Sequence, residues 1–183
     1  MPLARYVVRV AAAQEDAAAA RIRALGGDAV GDCFALRRQM PHRAKGEWGY
    51  AESVLFPGYA FLACDDPECV ADVLRRSTGT AELLVAGGAP LALTDGEASF
   101  VSDFGGVDHL VRTSRGRIED GRLVVESGPL AGHEGLVRHL DRHRRAAWLD
   151  LSLLHAGADR IVDVLMPADG RGVKVGLEVV SKS

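Results

Sequence analysis

Arg142-His143-Arg144-Arg145 is the stretch whose residue types most directly suggest chemistry, three guanidiniums and an imidazole in a row with no acid among them. A guanidinium is always charged and its planar fork matches phosphate, so such a run on a turn can grip a nucleic-acid backbone. The same composition also serves a hairpin tip that is merely solvated. Arg138 stands on the approach to the run and Trp148 just beyond it. The candidate phosphate-contacting set is therefore Arg138, Arg142, His143, Arg144 and Arg145, with Trp148 expected to pack inward.

Catalytic and metal chemistry find no comparable support. The chain has no G-x-x-x-x-G-K-[ST] loop, no G-x-S-x-G elbow and no H-E-x-x-H pair, so phosphate cleavage, acyl transfer and zinc hydrolysis lack their local signatures. His139 and His143 are four apart, a spacing that joins two ligands on a helix but not on a strand and its turn. Cys33, Cys64 and Cys69 lack C-x-x-C spacing and read as reduced, buried and structural. No catalytic residue, metal or cofactor is expected, and the chain is not expected to be an enzyme.

The elements that must position the arginines divide the chain. Its 183 residues allow one domain or two small ones, and we expect two. A net charge of −3 argues against wholesale coating of nucleic acid, leaving any such contact to a local patch. No apolar run approaches the ~20 residues of a membrane span and the N-terminus has no signal-peptide pattern, so a cytoplasmic protein without a membrane partner is expected.

A β-prone run at 5–10 precedes an alanine-rich helix at 14–25 with Ala18, Ile22 and Leu25 as its apolar stripe, ended by Gly26-Gly27. A strand at 33–38 leads into a polar, glycine-punctuated loop at 41–49 that reads as the tip of a long hairpin, where Trp48 is expected as a cap over the sheet rather than a contact residue. Pro57-Gly58 should turn the chain into a strand from Tyr59, with Tyr59, Phe61 and Ala63 on one face and Ala60, Leu62 and Cys64 on the other. Asp66 caps a helix at 67–76, a short strand lies at 83–85, and Ala98, Val101 and Phe104 form the apolar side of a helix at 95–104. The order of strands and helices predicts an α+β, ferredoxin-like sandwich over 1–104. Residues 105–116 lack periodicity and read as a linker. Strands expected at 122–126, 135–140, 147–154, 160–165 and 173–180 make 117–183 a small SH3-like β-barrel.

The stretch Leu55-Phe56-Pro57-Gly58-Tyr59-Ala60-Phe61-Leu62, with Tyr6-Val7-Val8 ahead of it, resembles the Phe-Pro-Gly-Tyr strand of the NusG family of transcription elongation factors. Ser127-Gly128-Pro129-Leu130-Ala131-Gly132-His133-Glu134-Gly135-Leu136-Val137-Arg138 looks like the KOW motif of that family's second domain, in family order, and Gly128, Gly132 and Gly135 would serve its close turns. The arginine run, Cys33-Phe34 ahead of Arg37-Arg38, Gly46-Glu47-Trp48 and the segment 175–180 further resemble the LoaP subgroup of antitermination factors. The resemblance implies an N-terminal domain that docks on the clamp helices of RNA polymerase, with Tyr6, Phe56 and Tyr59 as polymerase-binding residues. It implies suppression of pausing and termination, and a KOW domain that engages an RNA hairpin in the nascent transcript. A general NusG-type factor, whose KOW domain recruits Rho or a ribosomal protein, is the alternative within the family. Co-purification with ribosomes would favour a translation-linked KOW protein instead. Two departures stand out. Arg5 occupies the place where the family usually has tryptophan, and 155–174 is longer than the usual connection.

Overall fold

Proline, glycine and capping acids punctuate this chain closely, and its regular elements are correspondingly short. The computed structural model describes residues 4–78, 81–154, 164–167 and 169–182. In chain order these form β1 (Ala4–Arg9), α1 (Glu15–Gly26), β2 (Asp32–Phe34), β3 (Arg37–Ala44), β4 (Glu47–Val54) and β5 (Tyr59–Cys64). Then come α2 (Pro67–Thr78), β6 (Glu82–Leu83), β7 (Val85–Ala86), β8 (Ala89–Pro90), α3 (Asp95–Gly105) and β9 (Leu110–Val111). The last are β10 (Ser114–Glu119), β11 (Arg122–Ser127), β12 (Val137–Asp141), β13 (Ala146–Leu149) and β14 (Val173–Lys182). The described residues of 1–36, 56–98 and 157–165 form one compact unit, and those of 37–55, 99–156 and 166–183 form a second.

The first unit holds an antiparallel sheet of order β2-β5-β1-β6, built in the sequence β-α-β-β-α-β of a ferredoxin-like unit. Register places Tyr6 opposite Leu62 and Val8 opposite Ala60. Alternation then sends Tyr6, Val8, Ala60, Leu62 and Cys64 to one face. There they join Ala18, Ala19 and Ile22 of α1 and Val70, Val73 and Leu74 of α2 in one core, each large side chain worth about 1.5–3 kcal/mol on burial. Leu25, expected in the α1 stripe, is instead 44% exposed. On the opposite face the Phe34 and Phe61 rings stack at 5.7 Å, and Phe56 meets Phe61 edge-on at 6.0 Å.

Capping acids set where the helices begin. Asp66 Oδ1 accepts the Glu68 N–H at 2.9 Å, and Thr94 and Glu97 exchange the reciprocal bonds of a capping box at the start of α3. Glu15, 3% exposed, accepts the N–H of Ala13 and, at 2.7 Å, that of Gly58. The Phe56–Tyr59 turn, with Gly58 at φ +84, is thus tied to the first turn of α1.

In the second unit β3 and β4 form a long hairpin, extended by parallel β9 into a sheet of order β4-β3-β9. The expected loop at 41–49 is a correction. Strand pairing continues through Pro41↔Tyr50 to Ala44↔Glu47, and only Lys45-Gly46, both at positive φ, make the turn. Pro41 is tolerated because the β9 ladder on β3 stops at Arg38, so among the described residues no strand ladder on that side needs the donor that Pro41 lacks.

The second sheet has the order β11-β10-β14-β13-β12, with β10 and β14 parallel and the other pairs antiparallel. Its five strands are not all those expected. β10 comes from the end of the stretch read as linker, whose 109–113 also pair with the hairpin through Arg37 N–H to His109 O and Thr113 Oγ1 to Gln39 O. The expected strand 147–154 stops at Leu149 and continues as a 3-10 turn, Leu151–Leu154. Of the expected strand 160–165, residues 160–163 lie outside the described residues and Val164-Leu165 are helical. Residues 155–163 and 168 of the long connection likewise lie outside them.

Two glycines permit close approach. Gly128 sits at φ +97 with its would-be Cβ 2.6 Å from Ser114 Cα, and Gly176 of β14 lets Gln39 O and Thr113 Oγ1 come against its backbone. Gly135 has an ordinary φ and open space around it, so the expectation that it is needed for a turn is not met.

Candidate nucleic-acid interface

The arginine run forms the turn between β12 and β13. Asp141 organises it, accepting the Arg144 N–H at 2.9 Å, and Arg145 reaches φ +47 to return the chain into β13. The Arg144 N–H, before any other group, holds the Asp141 carboxyl below the usual carboxylate range. Arg142 and His143 are exposed at the tip, and Arg142 has no ion-pair partner among the described residues.

The structure separates the five candidate cations by what already holds them. Arg145 donates to Glu178 Oε1 at 2.9 Å, and its guanidinium lies over the Trp48 ring. Glu178, 8% exposed, also accepts from Arg115 at 3.2 Å and from the Tyr50 hydroxyl at 3.4 Å. Arg145 is therefore a structural cation. Among the described residues Arg144 and Arg138 have only loose side-chain pairs, each at 3.6 Å, with Asp141 and Asp150, and their own side chains are 72% and 60% exposed. Long pairs whose cation is this exposed contribute little to stability.

The two tryptophans are less covered than expected. Trp48 is 41% exposed rather than capping a sheet. Trp148 is half-buried and walls two cavities of about 360 and 280 Å³. Arg144 and Arg171 wall both as well, and Arg138 and His139 line the larger, Arg38 and Lys174 the smaller. Sequence reading missed Arg38, Arg171 and Lys174. Lys174 had an available signal, since it stands on a strand whose alternation puts it on the face of Trp148, its register partner. Arg38 and Arg171 had none, being brought in by the hairpin and by the turn before β14.

Crowding leaves its mark on these cations. Burial, followed by the nearby Arg38 and Arg144 charges, pulls the Lys174 ammonium below its ordinary range. Burial does the same to Arg38, whose Nη1 donates to Lys174 O at 2.7 Å.

The residues expected to meet a polymerase are not equally available. Tyr6 and Phe56 are 9% and 3% exposed, while Tyr59 is half-buried. Burial raises the Tyr6 phenol above its ordinary value. Among the cysteines, Cys33 and Cys64 are buried as expected, but Cys69 is exposed. Among the described residues no three His, Cys, Asp or Glu side chains are placed to hold a metal, and no helix is long and apolar enough to cross a membrane.

The class these features define is a mixed α+β protein with, among the described residues, three helices, several small sheets and a basic cleft on a five-stranded sheet. The chain has a fold of the NusG kind. It is similar to Thermotoga maritima NusG, in a structure concerned with domain interaction in that protein, with a TM-score of 0.53 and 18% identity over 96% of this chain and 93% of that one. No protein-family model matches the sequence, and no curated protein matches it by sequence.

Proposed function

We propose that the chain is a NusG-type transcription elongation factor, in which a domain over 1–104 binds the clamp helices of RNA polymerase and a KOW domain over 117–183 engages an RNA hairpin in the nascent transcript. The observation that carries this reading is the fold likeness, which covers 96% of the chain; the Phe-Pro-Gly-Tyr turn before β5 and the Gly-Pro-Leu turn after β11 stand in the order that the resemblance expects. By gripping both sides of the polymerase cleft the first domain would disfavour the paused, open state, because a ligand shifts an equilibrium by its differential affinity for the two states. Pausing and termination fall together. Of the three aromatics, Tyr59 has the accessible ring, and Tyr6 and Phe56 support the strand and turn that present it.

The test is co-purification of the full chain with RNA polymerase and transcription through a pause site and a terminator. Tyr59→Ala is expected to weaken polymerase binding by about 1–3 kcal/mol and to restore pausing. Read-through unchanged by the protein would end the antitermination reading. Polymerase binding without RNA binding, but with capture of Rho or a ribosomal protein, would assign the general NusG role instead.

A further inference from the structure

His139, Trp148 and Lys174 lie side by side across β12, β13 and β14, since His139 pairs with Trp148 and Trp148 with Lys174. The imidazole is 5.1 Å from the indole, ring centre to ring centre, and Lys174 Nζ is 5.3 Å from the centre of the indole ring. A half-buried aromatic shelf thus sits among cations. The cavity beside it, about 360 Å³, is of the size that holds a small ligand.

We infer that this cleft takes one unpaired nucleotide of an RNA, its base stacked on Trp148 and its flanking phosphates on Arg138, Arg144 and Arg171. The inference rests on the reading of the second domain as RNA-binding and adds to it that the RNA is read at a looped-out base rather than along a duplex. Three observations converge on this ligand. Every base has a flat face that an indole can stack on, whereas the paired bases of an A-form duplex keep theirs stacked on one another. The ion pairs of the three arginines, with Asp150, Asp141 and Asp169, are 3.6 to 3.8 Å long and the arginine side chains are 60 to 76% exposed, so the pairs orient the guanidiniums without consuming their donors. Arg138, Arg144 and Arg171 all line the cavity that Trp148 walls, against one carboxylate, Asp141, so its lining carries a net positive charge that suits phosphate.

The chain has two tryptophans, so Trp48→Phe in the full-length protein leaves Trp148 as the sole indole fluorophore. This protein is titrated with a hairpin RNA bearing an unpaired purine loop, with a blunt duplex of equal phosphate count, and with the same hairpin made abasic in its loop. The looped hairpin is expected to quench Trp148 and to bind roughly ten- to a hundredfold tighter than the other two. Trp148→Leu should abolish that preference but keep the salt-dependent duplex binding, and Trp148→Phe should restore most of it. Arg171→Ala, at a side chain 76% exposed and so harmless to folding, should weaken all three probes. Equal affinity for the three probes with no quench would overturn the inference and leave the RNA-binding reading standing. No binding of any RNA would overturn both. Displacement of the hairpin by polyglutamate at equal charge concentration would give the cleft to an acidic protein segment, and would also overturn it.

Discussion

The Arg145 guanidinium lies 3.9 Å from the centre of the Trp48 ring, and the same group neutralises the nearly buried Glu178 of β14. One cation thus joins the tip of the β3–β4 hairpin to the five-stranded sheet. Arg145→Ala should destabilise the protein by about 1–3 kcal/mol, because it removes a charged hydrogen bond from a carboxylate with little access to water. Arg142→Ala, at the exposed tip of the same turn, should leave the unfolding midpoint unchanged within about 0.5 kcal/mol. Urea denaturation of the two variants separates these roles, and equal midpoints would show that Glu178 is adequately held by Arg115 and Tyr50.

Phe56 and Tyr59 frame one turn but should respond differently to truncation. Phe56→Ala removes a ring packed edge-on against Phe61 and is expected to cost on the order of 3 kcal/mol in stability. Tyr59→Ala truncates a half-buried ring and should unfold as cooperatively as the parent protein. Any polymerase-binding loss in the Phe56 variant is therefore interpretable only alongside its thermal unfolding. If Phe56→Ala proves as stable as the parent, the turn is not anchored by this ring.

The glycines of the Gly-Pro-Leu turn offer a graded series. Gly128→Ala meets both a positive φ and the Ser114 backbone and should be the most damaging. Gly132→Ala, also at positive φ but with nothing within 4 Å, should cost about 1 kcal/mol. Gly135→Ala is expected to be neutral or slightly stabilising, as its conformation suits any residue. Differential scanning calorimetry of the three gives the order, and a Gly135 variant as unstable as that of Gly128 would refute it.

Legibility in the sequence followed locality. Helices α1, α2 and α3 were readable because capping acids, alanine content and apolar spacing act within a single turn. The Phe-Pro-Gly-Tyr turn was readable because proline and glycine restrict their own backbone. β10 was missed although Asp120-Gly121, both at positive φ, is a strong hairpin signal; the arginines around it masked the pattern. The β3–β4 hairpin was shortened for the same reason, its strands being exposed and polar and interrupted by Pro41. The arginine run was found by composition, but which cations stay available depends on Glu178 and Asp141. Those lie on other strands or cap the turn, so only the fold could separate Arg145 from Arg144. Much of the cleft around Trp148 comes from the β12–β13 hairpin, where Arg138 and Arg144 were legible by composition; Arg38, Arg171 and Lys174 were not, because they reach it from segments far apart in the chain.

The Asp66–Cys69 pair at the start of α2 should shape stability on both sides of neutrality. The Cys69 thiol donates to Asp66 Oδ2 at 3.0 Å. This bond, followed by the Glu68 and Cys69 amides, holds the Asp66 carboxyl below its ordinary value, and in turn the carboxylate raises the thiol. A carboxyl depressed by folding contributes stability above its unfolded pKa, about 3.9, and that contribution is lost as pH falls through the folded value. A thiol raised by folding contributes below its unfolded pKa, about 8.5, and its contribution is lost as pH rises through the folded value. Asp66→Asn keeps a capping oxygen but removes the charge, so its melting temperature should vary less with pH than the parent's at both ends. Iodoacetamide supplies the second readout. Burial pushes Cys33 up to about 12 and Cys64 up to about 11, so labelling of the native protein near pH 8 reports Cys69. The variant should alkylate faster than the parent, because the thiolate is the nucleophile and its fraction rises when the neighbouring charge is removed. Identical alkylation rates and identical pH profiles would show that the carboxylate does not govern the thiol.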